Sequence, residues 1–234
     1  MTTKIESIQQ ALRDRGFNPG EIDGIWGRRT IAAVRAFQTT RGLKVDGVVG
    51  PVTASALLGT NVLVAADSAV PLVWYEEAKR LLGTRETPGP ASNHKILEWA
   101  KDLDISYKGD DVPWCGLFVA HCIGSTLTEE SLPANPLSAR AWRKVGQSCK
   151  PGLGAILVFW RGSPGGALGH VGFYKGEDKN AYHVLGGNQS DRVSVARVAK
   201  DRLLEARWPA TAALIAPQVI DLKENGSPLS GKEQ

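Results

Sequence analysis

A nine-residue pattern occurs twice near the start of the chain, and no other stretch narrows the fold as much. Ile22-Asp23-Gly24-Ile25-Trp26-Gly27-Arg28-Arg29-Thr30 is echoed by Val45-Asp46-Gly47-Val48-Val49-Gly50-Pro51-Val52-Thr53, at an offset of 23 residues. In each copy the Asp-Gly pair makes a turn that tolerates positive φ, and the second glycine precedes a helix start. Each copy is therefore a turn feeding a helix. Ile31, Val34, Phe37 and Gln38 fall on a helix running to about Thr40, and Ala54 to Leu58 form another. Ahead of both, Ile5, Ile8 and Leu12 recur at helical spacing and stop at Gly16. The result is a small three-helix domain over residues 1–60, in which Trp26 reads first as a packing residue.

Residues 61–71 read as a connector, although Val62-Leu63-Val64 also suits a short strand. A second domain is expected over 72–218, followed by a polar Gly- and Pro-containing tail, 219–234, expected to be disordered. Leu72 to Leu82 suits a helix stopped by Gly83, and Asn93 caps another that contains His94. Four strands follow from apolar and alternating runs at Ala155–Trp160, His170–Tyr174, Ala181–Leu185 and Arg192–Val198, with a hairpin joining the second and third. Helices followed by antiparallel strands give an α+β class.

The chemistry centres on Pro113-Trp114-Cys115-Gly116-Leu117-Phe118-Val119. A cysteine on the first turn of a helix meets unpaired N–H groups and the positive end of the dipole, which lower a thiol pKa from about 8.5. Cys115 is the candidate nucleophile, with its own backbone N–H as the oxyanion donor. A thiol nucleophile needs a base, and the base needs a partner to fix its tautomer. His170, at a strand start behind a glycine-rich loop, is the expected base, and Asn188 after Gly186-Gly187 its expected partner. His183 and then Gln189 are the alternatives for that third position. Cys122, two turns beyond Cys115, reads as a core thiol, and His121 as a partly exposed residue on the helix flank. Three cysteines argue against a disulfide scaffold, and no pair of Cys or His has zinc-ligand spacing, so no metal or cofactor is expected.

The paired Asp-Gly motifs with Phe37-Gln38 resemble the three-helix peptidoglycan-binding domain found on many cell-wall hydrolases. The resemblance implies peptidoglycan as partner and makes Trp26 and Gln38 candidate contacts for it. From Leu72 to Ala213 the chain resembles the papain-like cell-wall cysteine hydrolases of the NlpC/P60 and CHAP group. That resemblance rests on the Cys115 segment, on Gly154-Ala155-Ile156-Leu157-Val158-Phe159, on Gly169-His170-Val171-Gly172-Phe173-Tyr174 and on Gly187-Asn188. It implies a papain-like domain with a Cys115-His170-Asn188 site that cleaves a stem-peptide amide, endopeptidase being favoured over amidase. Trp-Cys-Gly stands where many NlpC/P60 members have Asp-Cys-Ser. The two-part layout also resembles phage endolysins, which implies a monomer made in the host cytoplasm without a signal peptide and released through a holin-made lesion. A net charge of +4 suits an anionic wall. The absence of any Lys/Arg-rich run argues against nucleic acid, and no stretch has the length of a membrane span.

Overall fold

A computed structural model describes residues 3–59, 70–88, 91–213, 218–222 and 229–230. Helix α1 (Lys4–Asp14) opens with a reciprocal cap: Glu6 N–H donates to Thr3 Oγ1 at 3.1 Å and Thr3 N–H to the Glu6 carboxylate at 2.6 Å. Helix α2 spans Arg28–Thr40, and α3 (Pro51–Leu58) carries proline at its first turn, where the missing N–H costs nothing. Ile8, Leu12, Val34, Phe37 and Leu57 are fully buried between them, with Phe17 edge-on to Phe37 at 5.6 Å. Both Asp-Gly turns are left-handed at the glycine, with φ of 72° at Gly24 and 74° at Gly47.

In the second domain, α4 (Val73–Arg80), α5 (His94–Asp102) and α6 (Cys115–Thr126) precede a six-stranded antiparallel sheet. Its strands are β1 (Gln147–Ser148), β2 (Ile156–Trp160), β3 (Gly169–Glu177), β4 (Ala181–Gly186), β5 (Ser194–Ala199) and β6 (Leu203–Trp208), in the spatial order β1-β6-β2-β3-β4-β5. Helix α6 lies on β3, with Phe118 against Phe173 at 6.0 Å, and α4 and α5 pack on α6. A 3-10 helix, Ala139–Lys144, packs on β2 and β3. Among the described residues, no helix is long and apolar enough to cross a membrane.

Four expectations change. The β3–β4 register is Phe173↔Leu185 and Tyr174↔Val184 with a bulge before Gly176, so the hairpin extends to Glu177↔Tyr182, beyond the expected link. Strand β6 is added, pairing with β2 from a sequence position with no clean alternation. His121 is buried instead of flanking: α4 covers it, Glu77 Oε1 lies 3.0 Å from its Nε2, and Trp99 stacks on its ring at 5.1 Å. The described part of the tail is paired and not loose. Glu177 N–H donates to Ile220 O at 2.8 Å, Leu222 N–H to Glu177 O at 2.7 Å and Ser230 N–H to Arg197 O at 2.7 Å. The expected connector 61–71 falls almost wholly outside the described residues.

Candidate active site

Three segments converge on the start of α6. Trp114, fully buried, precedes the helix and donates its indole N–H to Glu86 Oε1 at 2.7 Å. Gly116 admits the crossing 136–137 backbone, because a Cβ there would stand 2.2 Å from Pro136 O. Gly187 does the same for the turn after β4: a Cβ would meet Phe118 Cβ at 2.6 Å and the Trp114 ring at 2.7 Å. Any larger residue at either glycine would push a loop off the cysteine.

Cys115 is the first residue of α6 and is 3% exposed. Its sulfur accepts backbone N–H groups of Val171, Gly116 and Cys115 itself, with the charge of Arg161 acting on it. Burial nevertheless outweighs these and pushes the thiol above its ordinary value. The helix-start effect expected from sequence is present, but desolvation of the anion wins. Val171 follows His170, so the sulfur reaches the strand that carries the expected base.

His170 is fully buried on β3, opposite Phe159 of β2. Its Nε2 lies 3.0 Å from Gln189 Oε1. The orientation of that amide is chemically forced, since Gln189 Nε2 faces three carbonyls: Val184 O at 3.2 Å, Gly186 O at 3.2 Å and Ser194 O at 2.5 Å. The amide oxygen must then face the ring, His170 Nε2 carries the proton, and Nδ1 is the basic nitrogen. Gly186 leaves room for the pair, because a Cβ there would stand 3.0 Å from Gln189 Oε1 and 3.1 Å from His170 Nε2.

The third position is thus occupied geometrically by Gln189, the last-ranked alternative. Asn188 has φ of 54°, is buried, and its Oδ1 has no hydrogen-bond partner among the described residues. Ser190 and Asp191 are left-handed too, at 55° and 59°. This run takes the chain out of the strand, and the next side chain, Gln189, faces the histidine. Asparagine tolerates the left-handed region better than most residues, so a Gly-Gly-Asn sequence after a strand was the available signal. His183 is engaged elsewhere: its Nε2 is 2.8 Å from Asp178 Oδ2, which Arg197 Nε also reaches at 2.9 Å. Sequence reasoning gave no role to Arg161, nor to Tyr107, whose hydroxyl donates to Val112 O at 2.8 Å and whose burial, with the charges of Asp110 and Glu86, opposes its ionisation. Among the described residues, no cluster of three His, Cys, Asp or Glu is arranged for a metal.

In the N-terminal lobe neither expected contact residue faces outward. Trp26 is 5% exposed and Gln38 is 1% exposed. Gln38 Nε2 donates to Asp46 Oδ1 at 2.8 Å and Val48 O at 3.0 Å, while its Oε1 accepts Gly47 N–H at 2.9 Å. Gln9 repeats the arrangement on the first turn, reaching Asp23 Oδ1 at 2.9 Å and Ile25 O at 3.1 Å and accepting Gly24 N–H at 2.9 Å. The repeated motif is thus a pair of amide-closed turns. Residues 2–57 match the family model described as "Putative peptidoglycan binding domain". The lobe accordingly supports cell-wall association, with peptidoglycan as partner. One curated relative, "Uncharacterized protein in bpoA1 3'region" of Kitasatospora aureofaciens, is 58% identical over 33 residues, 14% of this chain and 28% of that protein. The chain thus matches less than a third of that relative's length. No solved structure matches the chain.

Proposed function

We propose that the chain is a peptidoglycan hydrolase with a papain-like catalytic domain of the NlpC/P60 or CHAP kind, cutting a stem-peptide amide as an endopeptidase. The observation that carries this reading is the imidazole of His170, held by a buried amide and set on the strand whose next N–H reaches the Cys115 sulfur. The peptidoglycan-binding match of the lobe supplies the substrate class. In this reading the neutral thiol gives its proton to His170 Nδ1 as sulfur attacks the amide carbonyl. The oxyanion is met by the Cys115 backbone N–H, a kind of donor worth about 3–4 kcal/mol of barrier. The imidazolium, stabilised through Gln189 Oε1, then protonates the leaving amine. Water, deprotonated by the same nitrogen, hydrolyses the thioester and restores the thiol. The lobe raises the local concentration of wall around the catalytic domain. The biological setting we propose is release of a phage from its host, on the resemblance of this two-part layout to endolysins.

Purified peptidoglycan treated with the full chain and with Cys115→Ala provides the test. Turbidity should fall with the first alone, while both co-sediment with the wall. Clearing by Cys115→Ala would remove the nucleophile assignment, and co-sedimentation without clearing by either would leave a wall-binding adaptor. Mass spectrometry of the products identifies the bond. A new amine on a stem-peptide residue is expected, whereas release of intact stems from the lactyl group would make the enzyme an N-acetylmuramoyl-L-alanine amidase.

A further inference from the structure

The segment 136–144 reaches two of the elements that surround Cys115. Its start crosses the first turn of α6, where Pro136 O and Leu137 O would stand 2.2 Å and 2.7 Å from a Cβ at Gly116. Its 3-10 helix then carries Arg140, which donates from all three guanidinium nitrogens to the loop 161–168. Nε reaches Leu168 O at 2.7 Å, Nη1 reaches Pro164 O at 2.8 Å and Nη2 reaches Ser163 O at 2.9 Å. Fully buried Trp142 anchors the same helix, its indole N–H donating to Pro136 O at 3.0 Å. A planar fork with fixed donors can hold three diverging carbonyls at once, whereas a lysine ammonium cannot span them.

Loop 161–168 joins β2 to β3 immediately before His170. It is largely exposed and contains Gly162, Gly165 and Gly166, so it has little stiffness of its own. Arg161 opens it, two positions past Phe159, whose partner across the ladder is His170. Leu168 O, which takes Arg140 Nε, also accepts Arg161 N–H at 3.2 Å. The fork thus fixes the point at which Arg161 leaves the sheet. Arg161 is half-buried, and its charge acts on the Cys115 sulfur. The other groups near that sulfur favour its neutral form or are neutral themselves. His170 comes from β3, one residue before the N–H that reaches the sulfur, and Tyr107 from the segment before α6, with the carboxylates of Asp110, Glu86 and Asp111 around it.

We propose that Arg161 stabilises the Cys115 thiolate and that Arg140 is a positioning residue, acting through loop 161–168 to hold that cation in place. The proposal rests on Cys115 being the nucleophile, as read above. When the proton leaves Sγ for His170 Nδ1, the anion then forms beside a fixed cation in a buried site, where water screens little. The same cation opposes the imidazolium, and Gln189 Oε1 on its other nitrogen offsets that.

Thiol alkylation reads this without any wall substrate. The full chain is treated with iodoacetamide over a range of pH, and modification of Cys115 is followed by peptide mass spectrometry, separately from Cys122 and Cys149. Arg161→Gln should raise the midpoint of the pH–rate profile by about one unit, slowing modification near neutrality about tenfold. Arg161→Lys should recover most of that shift. Arg140→Lys, which keeps the charge but loses the fork, should move the midpoint the same way by less, and should add nothing in an Arg161→Gln background. The plateau rate at high pH reports access to the thiol, so a merely loosened fold moves the plateau and leaves the midpoint. An Arg161→Gln midpoint equal to the parent's, an Arg140→Lys shift that is absent or additive, or a parent Cys115 that never reacts overturns the proposal. A chain that shows these shifts and clears no peptidoglycan would overturn the hydrolase reading and leave the roles of the two arginines standing.

Discussion

Gln38 in the lobe and Gln189 beside the sheet are the same side chain in nearly the same situation. Each is buried and each donates its amide hydrogens within a neighbouring segment, Gln38 to the turn at Asp46–Val48 and Gln189 to carbonyls of β4 and β5. They differ in what the oxygen faces. In Gln38 it accepts the backbone N–H of Gly47, whereas in Gln189 it faces the imidazole of His170. A loop-closing amide is a structural device in the first case, and it becomes a means of fixing a tautomer in the second. The difference lies in one acceptor contact, which no local sequence pattern displays.

The largest effect that separates the two is expected from Gln189→Ala. It should lower turnover of purified peptidoglycan at least about a hundredfold by freeing the His170 ring. Gln38→Ala should leave turnover of free stem peptides within about twofold of the parent. Equal loss of turnover in both variants, with the fold retained, would erase the distinction. Stability sharpens the other side of the comparison. Gln38→Ala strands the buried Gly47 N–H and Gln9→Ala the half-buried Gly24 N–H, and each should cost about 1–3 kcal/mol in urea unfolding, Gln9→Ala the less. The two latches share no atoms, so the double variant should be close to additive. A silent Gln38→Ala would mean that the lobe turn holds without its amide.

A charged counterpart is Glu77, which ties α4 to His121. Burial alone would raise its carboxyl, but hydrogen bonds from His121 and Arg80, with their charges, outweigh it and hold the group at about 2. A carboxyl depressed on folding adds stability that is full above its unfolded pKa, about 4.3, and is lost as pH falls through the folded value. Urea midpoints should therefore drop between pH 5 and pH 2 by more than for Glu77→Gln, and parallel profiles would remove Glu77 from the acid response. The smallest effect is expected at Asn188. Glycine accepts its left-handed backbone, so Asn188→Gly should shift stability by less than about 1 kcal/mol and leave turnover within about threefold. Collapse of turnover with the fold intact would return the third position to Asn188.

Much of this molecule was legible in sequence because its signals are local. The Asp-Gly turns, the Asn93 cap, the apolar runs of β2 to β4 and the cysteine at a helix start all lie within a few residues of their cause. What was missed depends on distant partners. Gln38 was noticed, but as a surface contact, since its acceptors come together only through the turn at Asp46–Val48. His121 sits on a helix flank until α4 covers it. Strand β6, Leu203–Trp208, and the paired segment around Ile220 read as half-polar chain until β2 and Glu177 meet them. Asn188 was chosen over Gln189 for its place directly after Gly186-Gly187, and three left-handed residues in four positions bring the next side chain to the histidine instead.

The carbonyls that hold Gln189 come from Val184 on β4, from Gly186 at its end and from Ser194 on β5. None of the three is in place until that pair of strands has closed, and the ring on β3 has no fixed partner before then. A chain still emerging, or one stalled short of the β4–β5 hairpin, would carry its thiol and its imidazole without the alignment that makes them a pair. For the proposed hydrolase, assembly order would act as a safety catch, armed only by the finished sheet.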